Sequence, residues 1–247
     1  ETFWQYRQAE PGDSLSDIDW RRSAGSDELY IRETEWEAAE SVLLWCDRAH
    51  AMDFKSDKLD WTKSDRARLL TLATSVLLQR GGERFGLLGT EAAQPRAGET
   101  QLTRIAALLS ATLRSRADFG APPKERLPRA GKAVFFSDFM GPRDDVFPAL
   151  LHAAGQGTGG VFVMILDPVE EEFPFYGRTR FESVARSVRH ETDEAHSLRK
   201  AYLERLAERR ADLEDVAERA GWHVIFHRTD ESPRRPLVRL HNIVGGS

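Results

Sequence analysis

Cysteine and long apolar runs are both scarce in this chain. Its single cysteine, Cys46, lies in an apolar segment, which excludes a disulfide scaffold and a zinc site made of cysteines alone. No apolar run approaches the roughly 18 residues of a membrane span, and no signal-like segment opens the chain. We therefore expect a cytoplasmic protein without a membrane span, although Glu1 is not an initiating Met and leaves an upstream segment open.

A strong excess of charge of one sign is also lacking. The 35 basic and 40 acidic residues give a net charge of −5, with the two signs interspersed along the chain. Proteins that bind nucleic acid concentrate basic residues on one face, so we expect no nucleic-acid partner. No Ser or Cys stands in a nucleophile-elbow pattern, which leaves a hydrolase triad without support.

Three apolar segments are present instead, and each one ends in an aspartate: Asp47, Asp138 or Asp167. Continuous apolar runs are typical of strands buried on both faces of a parallel sheet, and their last residues emerge at the carboxyl edge. An aspartate that only forms a turn explains one such case more easily than three. We predict a polar site shared by these aspartates, with turn formation as the alternative.

Amphipathic helices alternate with these strands, which predicts an α/β fold with a mostly parallel sheet and helices on both faces. The helical patterns cover Lys63–Arg80 and residues 100–115, 144–154 and 196–220. In a doubly wound sheet of order 3-2-1-4-5-6, the strands that end at Asp47 and Asp138 are neighbours. Their carboxylates, roughly 5 to 8 Å apart, would repel by on the order of 2 to 3 kcal/mol, so something must neutralise them.

The first 40 residues differ from the rest and are predicted to form an N-terminal arm and an edge segment, with one domain over residues 41–247. The arm carries Phe3, Trp4, Tyr6 and Trp20, which we expect to pack on the domain. Residues 29–37 alternate as a strand would, and we expect that strand to pair at the edge of the main sheet.

Several segments resemble a bacterial family called domain of unknown function 58, and the resemblance covers nearly the whole chain. They are Phe3-x-x-Tyr6 through Gly12-Asp13, Ile18-Asp19-Trp20 with Ser23-Ala24, Tyr30-Ile31-Arg32-Glu33, and the strand ending at Asp47. That family is similar to the von Willebrand factor A domain. The resemblance implies a three-layer, doubly wound, von Willebrand factor A-like (Rossmann-like) fold.

The resemblance also implies a site for a divalent cation. In von Willebrand A domains the cation is held by an Asp-x-Ser-x-Ser loop, a threonine and a second aspartate. These positions fall here on Asp47, Thr100 and Asp138, with Ala49 and Ala51 in place of the serines. Because two hydroxyl ligands are missing, we expect no cofactor and at most weak Mg²⁺ binding.

Members of the family are commonly linked to MoxR-type AAA+ ATPases and are thought to help assemble or activate other complexes. The resemblance therefore implies a non-enzymatic adaptor with a degenerate metal-ion-dependent adhesion site, working with such an ATPase and an unknown client protein. We expect the contact surface at the carboxyl edge together with the aromatic N-terminal arm, with Arg48, His50, Phe139 and Arg143 as its residues at the edge.

One alternative is a metal-dependent hydrolase that uses Asp47 and Asp138, with or without Asp167. A catalytic site needs a base or nucleophile beside the metal, and only His50 is a candidate.

Something must also take the place of the cation. We expect a guanidinium from Arg21, Arg22 or Arg143 there, because its planar fork can bridge two carboxylates. The alternative is an ordered water with one protonated aspartate.

Overall fold

The computed structural model describes residues 4–8, 20–24, 29–34, 41–111, 117–128, 131–182 and 189–245. The chain divides into two compact units, residues 1–39 and 40–247.

In the described residues of the N-terminal unit, two strands pair and one short helix forms. Strand β1 (Trp4–Gln8) pairs antiparallel with β2 (Tyr30–Thr34), and α1 is Trp20–Ser23. The expected partner of the strand in residues 29–37 is therefore wrong, because β2 pairs with β1 and not with the main sheet. The predicted packing of the arm, and the side chains of Arg21 and Arg22, lie outside what the described residues reveal.

The second unit contains seven described strands. They are β3 (Ser41–Cys46), β4 (Arg84–Leu87), β5 (Lys132–Ser137), β6 (Gly159–Leu166), β7 (Thr179–Glu182), β8 (Arg189–Thr192) and β9 (His223–Arg228). Five of them form a parallel sheet in the order β4-β3-β5-β6-β9, and β7 pairs separately with β8 in an antiparallel arrangement.

The chain enters the sheet at β3, places β4 on one side and then crosses to β5 on the other. The sheet order is thus 2-1-3-4-5 and not 3-2-1-4-5-6, but the reversal point still lies between the strands that end at Asp47 and Asp138.

Helices cover both faces of the sheet, which confirms the three-layer, doubly wound fold. They are α2 (Lys63–Arg80), α3 (Glu99–Ser110), α4 (Arg143–Ala154), α5 (Pro168–Glu172), α6 (Ala195–Ala220) and α7 (Arg234–Val244). Val42 and Leu44 face the core under α2, α3 and α7, whereas Leu43 and Trp45 face the core under α4 and α6. Residues 42–46 of β3 are all apolar because the strand contributes to both cores. Among the described helices, none combines the length and apolarity needed to cross a membrane.

Helix α2 begins at the carboxyl edge of the sheet, and its start is fixed by a capping box. The Thr62 hydroxyl accepts a hydrogen bond from Asp65 N at 3.1 Å, and Asp65 Oδ2 accepts one from Thr62 N at 2.9 Å. This cap makes Lys63 the first helical residue and brings its side chain to the edge where the strands end.

The buried His227 on β9 predicts one pH effect on the fold. Burial, and then the nearby Arg66 guanidinium, lower the pKa of His227 from 6.5 to about 4. Because this pKa is depressed in the folded protein, the contribution of neutral His227 to the free energy of unfolding is fully present above pH 6.5. It is lost as the pH falls through 4, by on the order of 2 kcal/mol. The variant His227→Leu should lack this loss in urea unfolding at pH 7 and pH 4.5. The exposed control His152→Leu should retain it, and equal losses in both variants would contradict the assignment.

Candidate functional site

The structure places Asp47 and Asp138 at the ends of neighbouring parallel strands, as predicted. Cys46 of β3 lies opposite Phe136 of β5, and Asp47 N donates to Phe136 O at 2.9 Å. Both aspartates are buried, with 2% and 3% of their surface exposed. The carboxyl edge therefore holds two carboxyl groups that need compensation.

Lys63 supplies that compensation at Asp138. Its Nζ lies 2.7 Å from Asp138 Oδ2 and 2.6 Å from Glu170 Oε1, and the residue is only 1% exposed. Burial alone would lower the pKa of the ammonium, but the carboxylates of Asp138 and Glu170 outweigh it and raise that pKa. We call Lys63, Asp138 and Glu170 the ion cluster.

Glu170 is held in place by the third strand-end aspartate. Asp167 Oδ1 accepts from Val169 N and Glu170 Oε2 accepts from Asp167 N, both at 2.9 Å, so the two residues form the capping box of α5. Asp167 Oδ2 also accepts from Ser56 N at 2.9 Å. Asp167 is thus a turn and cap residue, and the alternative of turn formation is correct for it.

Asp47 is satisfied by hydrogen bonds and not by a cation. Its Oδ2 accepts from Ser137 Oγ at 2.6 Å and its Oδ1 accepts from Ala49 N at 2.8 Å. A Cβ built on Gly120 would lie 2.0 Å from Asp47 Oδ1, so the Gly120 backbone lies directly against the carboxyl group. Burial, and then the charge of Asp138, raise the pKa of Asp47 to about 6.

These contacts do not fit a site for Mg²⁺. Ala49 and Ala51 offer no side-chain oxygen, and a neighbouring backbone lies against Asp47. Asp138 Oδ2 accepts from Lys63 Nζ, and Asp138 Oδ1 accepts from Met140 N at 3.0 Å. Mg²⁺ needs nearly octahedral oxygen ligands, which this group of residues cannot arrange while the lysine is in place.

The third predicted ligand, Thr100, is wrong. After β4 the chain turns back, so that Arg96 bridges to Phe85 and α3 starts near the amino edge of the sheet. Thr100 is exposed in the first turn of that helix. Leu108, two turns later, is the residue whose carbonyl oxygen meets Arg48 Nη2 at 3.3 Å. No local pattern in the sequence predicts that the loop after β4 returns along the sheet, so the threonine was assigned to the wrong end of the sheet.

Arg143 is also wrong as the cation that compensates the aspartates. Its guanidinium pairs with Asp212 of α6 at the surface and stacks on the Phe147 ring, 5.1 Å from the ring centroid. The compensating group is an ammonium, and it comes from the start of α2.

Of the predicted contact residues, Phe139 is unsuitable because it is buried. Only 1% of its surface is exposed, and its ring packs edge-on against Phe162 with centroids 5.9 Å apart. Arg48 and His50 are half-buried in the loop after β3. His50 Nδ1 lies 3.9 Å from Asp53 Oδ2.

A cavity of about 330 Å³ opens beside the ion cluster, and its walls are mostly apolar with six aromatic residues among them. Phe173 stacks on Tyr202 and on Phe181, with centroids 4.7 and 5.5 Å apart, and Phe175 meets Phe181 edge-on at 5.1 Å. The lining consists of Ala51, Phe54, Lys63, Asp118, Phe119, Asp138, Met140, Val169, Glu170, Phe173, Phe175, Phe181 and Tyr202. We call this space the edge cavity.

Sequence reasoning missed Lys63, Glu170 and the aromatic walls, although two local signals were present. A lysine in the first turn of a helix opposes the helix dipole, so Lys63 is an anomaly that requires a nearby anion. The Asp167-x-x-Glu170 spacing is that of a capping box, which fixes a glutamate at the same edge. No local signal could show that the two segments meet.

A family model described as "Protein of unknown function DUF58" matches residues 5–212. The chain belongs to this DUF58 family. Uncharacterized proteins of Mycobacterium tuberculosis and Mycobacterium bovis are 27% identical over 246 residues, which is 95% of this chain and 76% of theirs.

Two solved structures from Bacteroides are similar to this DUF58 chain at 12% sequence identity. An aerotolerance-related membrane protein of B. fragilis has a TM-score of 0.50, covering 85% of this chain and 100% of the other. The protein BatB of B. thetaiotaomicron has a TM-score of 0.49, covering 83% and 97%. At this identity, the B. fragilis structure supports the fold alone.

The ion cluster predicts a large and specific effect of Lys63→Met on stability. Removing the ammonium leaves the buried carboxyl group of Asp138 and the partly buried one of Glu170 without their cation, which should destabilise the fold by about 3 to 5 kcal/mol in urea unfolding at pH 7. Adding Asp138→Asn and Glu170→Gln to the same variant should recover most of the loss. The exposed control Lys58→Met should unfold like wild type. A loss below about 1 kcal/mol for Lys63→Met would contradict the role of the ammonium.

The buried Asp47 predicts a dependence of stability on pH that is opposite to the one predicted for His227. Its pKa is raised from 3.8 to about 6, so its stabilising contribution is present below 3.8 and is lost as pH rises through 6. The loss should reach on the order of 3 kcal/mol by pH 8. In urea unfolding at pH 5 and pH 8, Asp47→Asn should lack this component while the exposed control Asp57→Asn retains it. Parallel pH profiles for the two variants would rule the assignment out.

Proposed function

We propose that this chain is a non-enzymatic protein-interaction module whose contact site is the edge cavity and whose recognition needs no bound metal. One observation carries the proposal: the Lys63 ammonium lies 2.7 Å from Asp138 Oδ2 at the carboxyl edge and neutralises that carboxylate. A fixed ammonium keeps the strand ends compensated at all times, so the site is formed before any ligand arrives.

The edge cavity has the features of a recognition site. It is concave, its walls are mostly apolar, and a few charged groups lie among them. Phe175 and Phe181 are partly exposed, and Tyr176 next to them is 71% exposed. Large aromatic side chains at a concave surface contribute much of the energy in protein interfaces.

The partner follows from the family resemblance and is part of the proposal. We propose a MoxR-type AAA+ ATPase, with the client protein that the two would assemble or activate together. The module would then work in the cytoplasm, where ATP is available to the ATPase.

The hydrolase alternative has no observation in its favour. Asp138 is paired with Lys63, and Asp167 caps α5. Asp47 accepts a hydrogen bond from Ser137 Oγ, and the Gly120 backbone lies against its carboxyl group. The oxygens of all three carboxylates accept hydrogen bonds from the protein, so none of their observed contacts points to catalysis.

The test is binding of the full chain to the MoxR-type ATPase of its own host, measured by biolayer interferometry with ATP present. Replacing Phe175 and Phe181 by Ala together should weaken binding at least about tenfold, because both rings would leave the interface. The control Leu69→Ala removes an exposed apolar side chain from α2, away from the cavity, and should bind like wild type.

Two outcomes would overturn the proposal. Equal binding by the Phe175/Phe181 variant and wild type would show that the edge cavity is not the contact site. No binding by any form, with or without ATP, would show that the partner is wrong.

A further inference from the structure

The edge cavity combines aromatic walls with a net negative charge. Lys63 contributes one positive charge, whereas Asp138 and Glu170 contribute two negative ones. The ammonium meets one oxygen of each carboxylate, at 2.7 and 2.6 Å. One unit of negative charge therefore remains on the ion cluster, and Asp118 adds a further carboxylate to the lining, where apolar walls and partial burial weaken the screening of charge by water.

The surroundings reinforce this negative field. Asp47 is a further carboxyl group at the same edge, and the charge of Asp138 is one cause of its raised pKa. The same charge is among the causes that raise the pKa of Glu170, after burial. A cation entering the cavity would offset the repulsion between Asp138 and Glu170, which both line it, whereas an anion would strengthen that repulsion.

The aromatic walls select the kind of cation. Phe173, Phe175, Phe181 and Tyr202 line the cavity from three segments of the chain and contact one another through their rings. A metal ion prefers oxygen ligands and gains little from such walls. An organic cation gains from the negative faces of aromatic rings.

Within the organic cations, the planar guanidinium fits this setting better than a second ammonium. It stacks flat on aromatic rings, is weakly hydrated and presents several N–H donors to carboxylate oxygens. A compact ammonium would also concentrate its charge near that of Lys63. The cavity of about 330 Å³ is large enough to admit one long side chain.

We infer that the edge cavity binds an arginine side chain of the protein partner. This inference rests on the proposed function and names the chemistry that the contact site recognises. The guanidinium lies among the rings and faces the uncompensated charge of the ion cluster, so binding should weaken as salt concentration rises.

The test compares two capped tripeptides that differ only in charge, one with arginine at its centre and one with citrulline, its neutral isostere. Titrations of the ¹⁵N-labelled full chain are followed by NMR chemical shifts. The arginine peptide should bind about tenfold more tightly than the citrulline peptide and should shift signals around the cavity. Glu170→Gln should reduce this preference severalfold, while the exposed control Glu214→Gln should keep it.

Each remaining outcome decides against the inference in its own way. Equal binding of the two peptides would make the cavity an apolar contact site and leave the proposed function standing. Free arginine or guanidinium binding as tightly as the peptide would point to a small organic cation instead of a protein partner. If neither peptide binds, the inference is wrong, and the ATPase experiment decides the proposed function independently.

Discussion

The contact between Lys63, Asp138 and Glu170 is the constraint on which the candidate site depends. Burying an ammonium with 1% exposure is unfavourable unless carboxylates lie within hydrogen-bond distance, and here both distances are below 2.8 Å. The cluster joins the start of α2, the end of β5 and the first turn of α5. Three segments of the chain thus meet at the Lys63 ammonium, and the aromatic residues of the edge cavity lie beside it.

The two strand-end aspartates that were expected to share one cation are compensated in different ways. Asp138 has the lysine, whereas Asp47 has the Ser137 hydroxyl, the Ala49 amide and a pKa raised to about 6. A metal would have been shared by both groups and could dissociate. The lysine is covalently part of the chain, so the group that neutralises Asp138 cannot dissociate from this edge. That difference is why we assign to the edge cavity a recognition role independent of metal.

The sequence was sufficient for the fold because the fold depends on local patterns. The apolar run before Asp47 and the capping residues before Lys63 predict a buried parallel strand and a helix start without knowledge of distant residues. The strand-end aspartates likewise predict where polar groups gather. The site required pairings between segments far apart in sequence, such as Lys63 with Glu170, which no periodicity encodes. Thr100 failed for the same reason, because the return of the loop after β4 depends on tertiary pairing of Arg96 with Phe85.

The most direct test of the lysine's role is NMR observation of the Lys63 side-chain nitrogen during a pH titration, with the exposed lysines as internal references. If the ammonium is buried between two carboxylates, its pKa lies above the ordinary value of about 10.4, and its signal stays that of a protonated, slowly exchanging group when the exposed lysines titrate. Millimolar Mg²⁺ should leave that signal unchanged. Titration together with the exposed lysines, or displacement of the signal by Mg²⁺, would contradict the account.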